Sequence, residues 1–167
     1  MKYLLDSNTF IEAKNRYYRM KVCPGYWLWI RKKHTSEIVA SVKLVGTELT
    51  DGKDELSSWA KKYPDLFVPV DDLPTQKNYA KVVAHANSLQ GMKVGALEDF
   101  LAKADPWLIA KAMTLGAVVV THESFDLKSK RKITIPNVCN HFGVEWMNTF
   151  DMLDALKARF SLSKKAA

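Results

Sequence analysis

A chain of 167 residues, 47% hydrophobic and 26% charged, is the size of one soluble domain able to bury a sizeable core. Lys and Arg number 25 against 18 Asp and Glu, a net charge of +7 that suits a polyanionic partner, nucleic acid above all, as well as plain solubility or an acidic protein partner. No apolar run approaches the roughly 20 residues that span a bilayer, Asp6 interrupts the first apolar stretch before it could act as a secretory leader, and Cys23 and Cys139 form no zinc pattern with the histidines, so a reducing cytoplasmic location with free thiols is expected.

In chain order, residues 2–6 read as a short buried strand, after which Thr9 and Glu12 have the spacing of a capping box that opens a helix. The aromatic-rich segment from Pro24 to Lys33 reads as a second helix, Ile38 to Ala40 as a strand, and Val42, Val45 and Leu49 as the apolar side of a helix. Asp51-Gly52 breaks that helix and Asp54 to Tyr63 resumes a helical pattern. Leu66 to Val70 reads as a strand, and Pro74 suits the first turn of a helix that runs to about Leu89. Ala96 to Ala102 and Asp105 to Leu115 are further helical pieces, the second stopped by Gly116. Val118 to Thr121 is a β-branched run typical of a strand buried on both faces. After a basic loop come a helix over Ile135 to Phe142, a strand over Val144 to Trp146 and a terminal helix over Thr149 to Phe160. Alternating strands and helices predict one α/β domain over residues 1–167, with a mostly parallel sheet and ligands at the carboxyl ends of its strands.

Asp6, Glu48, Asp105 and Glu123 each border a strand end or lie on a helix. Each has an ordinary explanation: Asp6 as a hydrogen-bonding turn residue, Asp105 as a helix cap before Pro106, Glu48 as a solvated helix carboxylate, Glu123 as a loop residue. Gathered at one sheet edge, they would repel each other strongly without a cation. Such a set suits a hard divalent ion, which prefers oxygen ligands, activates water and neutralises charge on phosphate oxygens. No nucleophilic triad and no glycine-rich phosphate loop compete with that chemistry.

The segments Leu4-Leu5-Asp6-Ser7-Asn8, Glu48-Leu49, Asp105-Pro106-Trp107-Leu108-Ile109-Ala110 and Val119-Val120-Thr121-His122-Glu123 resemble, in order, the acidic motifs of PIN-domain ribonucleases. Lys130 to Cys139 and Phe142-Gly143-Val144 are similar to one poorly characterised PIN-like subfamily. The resemblance implies a PIN-like three-layer α/β/α fold and an Mg²⁺- or Mn²⁺-dependent endoribonuclease. Asp6, Glu48 and Asp105 would form the metal-binding core, with Glu123 the fourth acid and Asn8 and Thr121 in support. The fourth motif departs from the common pattern, in which Asp often stands where Glu123 is, and Asp126 competes for the role. Many VapC-like relatives are toxins of toxin–antitoxin pairs, so the resemblance also implies RNA as substrate, an antitoxin as partner and room for a homodimer.

Lys128, Lys130, Arg131 and Lys132 would stand beside the scissile phosphate or form a solvated loop. Arg16, Arg19 and Lys21 are a second basic patch. Tyr17, Tyr18, Tyr26, Trp27 and Trp29 read as core or interface ahead of base stacking. His122 reads as a strand-end histidine bonded to a carboxylate or the backbone, with the metal supplying the activated water. The alternatives are a non-catalytic PIN-like module that binds RNA or protein and, ranked last because Asn8 stands where a second Asp would be needed, a phosphatase with an aspartyl nucleophile.

Overall fold

Apolar runs of two to four residues form the sheet: β1 (Tyr3–Leu5), β2 (Val39–Val42), β3 (Phe67–Val68), β4 (Val118–Val120) and β5 (Trp146–Met147). The structure, a computed structural model, describes residues 1–160, so residues 161–167 of the expected single domain lie outside the described residues. The strands stand in the order β3-β2-β1-β4-β5 and every pairing is parallel. A sheet covered on both faces explains why β1, β2 and β4 are buried along their whole length.

The helices are α1 (Ser7–Glu12), which widens into a π turn over Ala13–Tyr17, α2 (Pro24–Thr35), α3 (Lys43–Thr50), α4 (Glu55–Lys62), α5 (Leu73–Ser88), α6 (Ala96–Leu101), α7 (Asp105–Leu115), α8 (Ile135–Phe142) and α9 (Thr149–Ala155). Together with the sheet they make the expected PIN-like three-layer α/β/α architecture. Local chemistry starts several of them. Asp54, Asp72, Thr134 and Asn148 each accept a backbone N–H three residues on, satisfying donors that a helix start leaves unpaired. Gly116 and Gly143 end α7 and α8 in the left-handed conformation.

Several boundaries differ from the sequence-based expectation. The Thr9–Glu12 capping box does not form, because α1 already begins at Ser7. Thr9 instead donates to the Asp6 carbonyl at 2.7 Å, and Glu12 pairs with Arg16. Pro64–Leu66 winds into a 3-10 turn that shortens β3, and Pro69 has no N–H to prolong it. The last strand falls at Trp146–Met147. The terminal helix stops at Ala155, with Lys157 at a φ of 50°. Leu4, Leu5, Phe10, Ile30, Val39, Val42, Leu108, Ile109 and Ile135 are wholly buried and form one core through the sheet. Each such side chain contributes roughly 1.5–3 kcal/mol.

The chain winds away from β1 in one direction to β2 and β3, and in the other to β4 and β5. The loops leaving β1 and β4 therefore diverge and open a crevice at their carboxyl ends, the place where open α/β sheets bind ligands.

Candidate active site

Asp6 and Thr121 follow β1 and β4 directly, so the parallel ladder sets them side by side: Leu5 is in register with Val120, and the Asp6 N–H donates to the Val120 carbonyl at 2.9 Å. The Thr121 hydroxyl and the Asn8 amide both donate to Asp6 Oδ2 at 2.9 Å, and the Ser7 hydroxyl approaches Oδ1 at 3.3 Å. Asp6 occupies the cap position of α1, yet its side chain makes no cap hydrogen bond. Its carboxylate is held instead by Thr121, Asn8 and Ser7.

Asp105 comes from α7, where it is the first helical residue, with Ala104 at the cap position. The expectation of an Asp105 cap ahead of Pro106 is thus corrected by one residue. The group that serves the start of α7 is Glu48, from the last turn of α3, whose Oε1 accepts the Ala104 N–H at 2.8 Å. Glu123 does the same for α8, its Oε2 accepting the Ile135 N–H at 2.8 Å while Oε1 meets the Lys132 ammonium. The starts of α1, α7 and α8 therefore all border the acids, and their partial positive charge offsets part of the local repulsion.

Asp6 is 1% exposed and Asp105 6%. Burial pushes the Asp6 carboxyl up to about 6; the Thr121 hydrogen bond works against this and the Glu123 charge with it. Asp105 is pushed up to about 7, by burial first and then by the charges of Asp6 and Glu123; Lys103 opposes the shift and Glu48 adds to it. Among the described residues the main influence opposing the rise at Asp105 is the Lys103 charge rather than a hydrogen bond. For Lys132, burial acts to lower the ammonium, but the bond to Glu123 and the charges of Glu123, Asp105 and Asp6 outweigh it and hold it above its usual value.

The structure thus brings Asp6, Glu48 and Glu123 within electrostatic reach of Asp105, and Glu123 within reach of Asp6. As the side chains lie, no three carboxylate, imidazole or thiol groups among the described residues converge tightly enough to grip one ion. Glu48 is turned to the Ala104 N–H and Glu123 to Lys132. The donor set itself is all oxygen, and two of its carboxyls are buried against like charge. That fits a hard divalent cation, which would relieve the repulsion.

Asp126 is exposed and belongs to the loop framework: its Oδ1 accepts the Lys128 N–H at 2.9 Å, and its backbone exchanges two hydrogen bonds with the Asn137 amide. Glu123 is among the charges that raise Asp105. His122 turns away from the acids and shares a 3.0 Å hydrogen bond with the Thr149 hydroxyl, which corrects the expected carboxylate or backbone partner. Lys130 reaches the Gln90 carbonyl, and Lys128 and Arg131 are exposed. Arg16 of the second basic patch is paired with Glu12. Tyr26 and Trp27 are buried, Tyr18 and Trp29 pack partly buried against the core, and Tyr17 stands exposed beside His122 and Phe150. Cys23 and Cys139 are free thiols, Cys139 buried. No described helix is long and apolar enough to cross a membrane.

Sequence reasoning missed the Glu48–Ala104 and Glu123–Ile135 contacts. The cues available to it were Thr134 and Pro136 at one helix start and Pro106 at the other.

Among solved structures the chain is similar to VapBC2 from Rickettsia felis, solved bound to a DNA fragment from their promoter, at 17% identity and a TM-score of 0.51, over 89% of this chain and 98% of that one. FitAcB from Neisseria gonorrhoeae matches with the same identity, score and coverage. PAE2754 from Pyrobaculum aerophilum matches at 16% identity and a TM-score of 0.51, over 95% of this chain and 97% of that one. These likenesses are of fold. No curated protein matches the chain. A family model does match, from residue 3 to residue 160, and the chain belongs to the family it describes, the domain of unknown function DUF4411.

Proposed function

We propose that this protein is a metal-dependent endoribonuclease and the toxin of a toxin–antitoxin pair. The observation that carries the proposal is the buried carboxyl pair Asp6 and Asp105 at the switch point of a PIN-like sheet, Asp105 raised by burial and by the charges of its acidic neighbours. Ionised carboxylates are costly in such a place unless a cation or a reaction uses them.

Asp6, Glu48, Asp105 and Glu123 would hold Mg²⁺ or Mn²⁺, with Glu123 preferred over Asp126 as the fourth acid. The bound ion supplies an activated water and neutralises charge on the phosphate oxygens. The protein's share is positioning. Thr121 and Asn8 fix the Asp6 carboxylate, Glu48 ties α3 to the start of α7, and the helix starts face the anionic substrate. Lys128, Lys130, Arg131 and Lys132 would hold the RNA backbone, giving affinity with little sequence choice. Exposed Val22 and Leu28, near the aromatic residues of α2, are candidate surface for an antitoxin or a second copy.

Asp6→Asn and Asp105→Asn should each abolish RNA cleavage while circular dichroism shows a retained fold, and EDTA should abolish wild-type cleavage. Full metal-dependent activity in purified Asp6→Asn protein would sink the mechanism.

The competing assignment, a non-catalytic PIN-like module, draws on Lys132, which already supplies a positive charge at Glu123. Calorimetric titration with Mn²⁺ separates the two: an enzyme of this design shows saturable heat that Asp105→Asn removes, whereas a module without a site shows none.

A further inference from the structure

A hollow of about 380 Å³ adjoins the acidic crevice, walled by the end of α5, the connection that follows it, the loop after Glu123 and the outer side of α8. Lys132 and Ile133 line both this hollow and the neighbouring depression that contains Asp105, so the two share a wall. The loop wall is preformed. Asp126 is hydrogen-bonded to Asn137 of α8, and the Lys130 carbonyl accepts the Lys93 N–H at 2.7 Å. Two large apolar side chains of that wall stay in water: Phe125 is 42% exposed and Leu127 76%. On the opposite side the His85 and His141 rings stack at 3.6 Å between centroids, 14° from parallel. The cations at the hollow are Lys130 and Lys132.

We propose that this hollow is a base subsite, which takes an unpaired nucleobase of the strand flanking the scissile phosphodiester. The inference rests on the nuclease assignment above and adds what the enzyme reads beside the cut. An aromatic face, an aliphatic side chain and a stacked imidazole pair offer flat contact to a planar ring, and every base has such a face. Lysines at the hollow suit the phosphate that must accompany the base, which disfavours a purely apolar occupant. A base inside a duplex is stacked and paired and cannot enter, so the site commits the enzyme to single-stranded segments.

The test uses full-length Asp105→Asn protein and short single-stranded RNAs carrying 2-aminopurine at each position in turn, with matched duplexes as a second arm. Quenching at one position of the single strand, and none in the duplex, is the expected result. Phe125→Ala combined with Leu127→Ser, on the same background, should remove that quench and weaken single-strand binding roughly tenfold, the scale of one base stack. Both side chains are exposed, so an unchanged melting curve should verify folding, and the single variant Phe125→Leu, which keeps bulk and removes the ring, should also abolish the quench. Unaltered quench and affinity in these variants overturn the base subsite while leaving cleavage by the wild type, and hence the nuclease assignment, intact. Absence of RNA binding by the parent, together with absence of cleavage by the wild type, overturns both.

Discussion

Asp105 carries the clearest conflict in the molecule between position and charge. Its carboxyl is raised to about 7 from an ordinary 3.8 by burial and by its acidic neighbours, so the folded state binds the proton more tightly than the unfolded chain does. Stability then falls as pH rises from about 4 to about 7, and the full penalty stands above that range. Asp105→Asn, always neutral, should therefore stabilise the metal-free protein at pH 8 by on the order of 2 kcal/mol, roughly 4–8 °C in melting temperature for a chain of this size. The gain should shrink towards zero at pH 4. Thermal melts in EDTA at the two pH values check this, and destabilisation at pH 8 would refute it. Added Mn²⁺ should raise the wild-type melting temperature and leave the variant unmoved. Lys132 is the other half of the same electrostatics. It answers Glu123 with an internal cation, so Lys132→Met should tighten Mn²⁺ binding several-fold by calorimetry while weakening RNA binding. The acids were legible in the sequence because each borders a recognisable element. Their partners were not: Glu48 meets Ala104 across 56 residues, and only the tertiary fold, which brings the last turn of α3 to the start of α7, decides which donor that carboxylate finds.

At the scale of elements, closeness of approach decides as much as pattern does. Gly46 lies on the buried side of α3, where an added Cβ would stand 2.7 Å from Phe67 Cγ and 3.1 Å from its Cβ. Phe67 is nearly buried in β3, and the atoms met are at the base of its side chain rather than its far end. Gly46→Ala should therefore cost a net of up to about 2 kcal/mol despite alanine's better helix propensity, because an overpacking cost of about 1–3 kcal/mol outweighs the roughly 1 kcal/mol that propensity returns. Chemical denaturation measures the difference, and a gain in stability would show that α3 and β3 can separate freely. The variant should also lower activity, since α3 carries Glu48 to the crevice. The helices over Leu73–Ser88 and Ile135–Phe142 were legible because an Asp or Thr cap and an early proline mark their starts. Asp105-Pro106 carries the same signature and misled by one residue, because the cap acceptor there arrives from Glu48 on another helix. Strand order was legible only as far as parallel alternation. That β1 sits between β2 and β4 depends on crossovers that no local pattern encodes.

For the whole molecule, a net charge of +7 coexists with an acidic crevice, so the positive surplus lies outside the proposed reaction centre. A polyanion drawn to such a surface is held by its phosphates, and binding releases counterions in proportion to the phosphates neutralised. Single-stranded RNA bound to the Asp105→Asn protein should therefore lose affinity linearly on a log–log plot against salt. Lys128, Lys130 and Arg131 lie on one loop beside Lys132, the residue that bridges the acids and the base hollow. If they hold backbone, changing all three to Gln should flatten that plot by about 2, roughly 0.7 for each phosphate no longer neutralised. The loss should be equal for all single-stranded sequences. Removing the Phe125 ring should do the reverse, lowering affinity without altering the slope, because stacking displaces no counterions. Fluorescence anisotropy across a salt series reads both quantities from one titration. A slope unchanged by the triple substitution would reduce the basic loop to a solvated surface and move RNA attraction to another face. The +7 charge would then have to act through residues such as Arg19 and Lys21, whose replacement in the same assay is the decisive comparison.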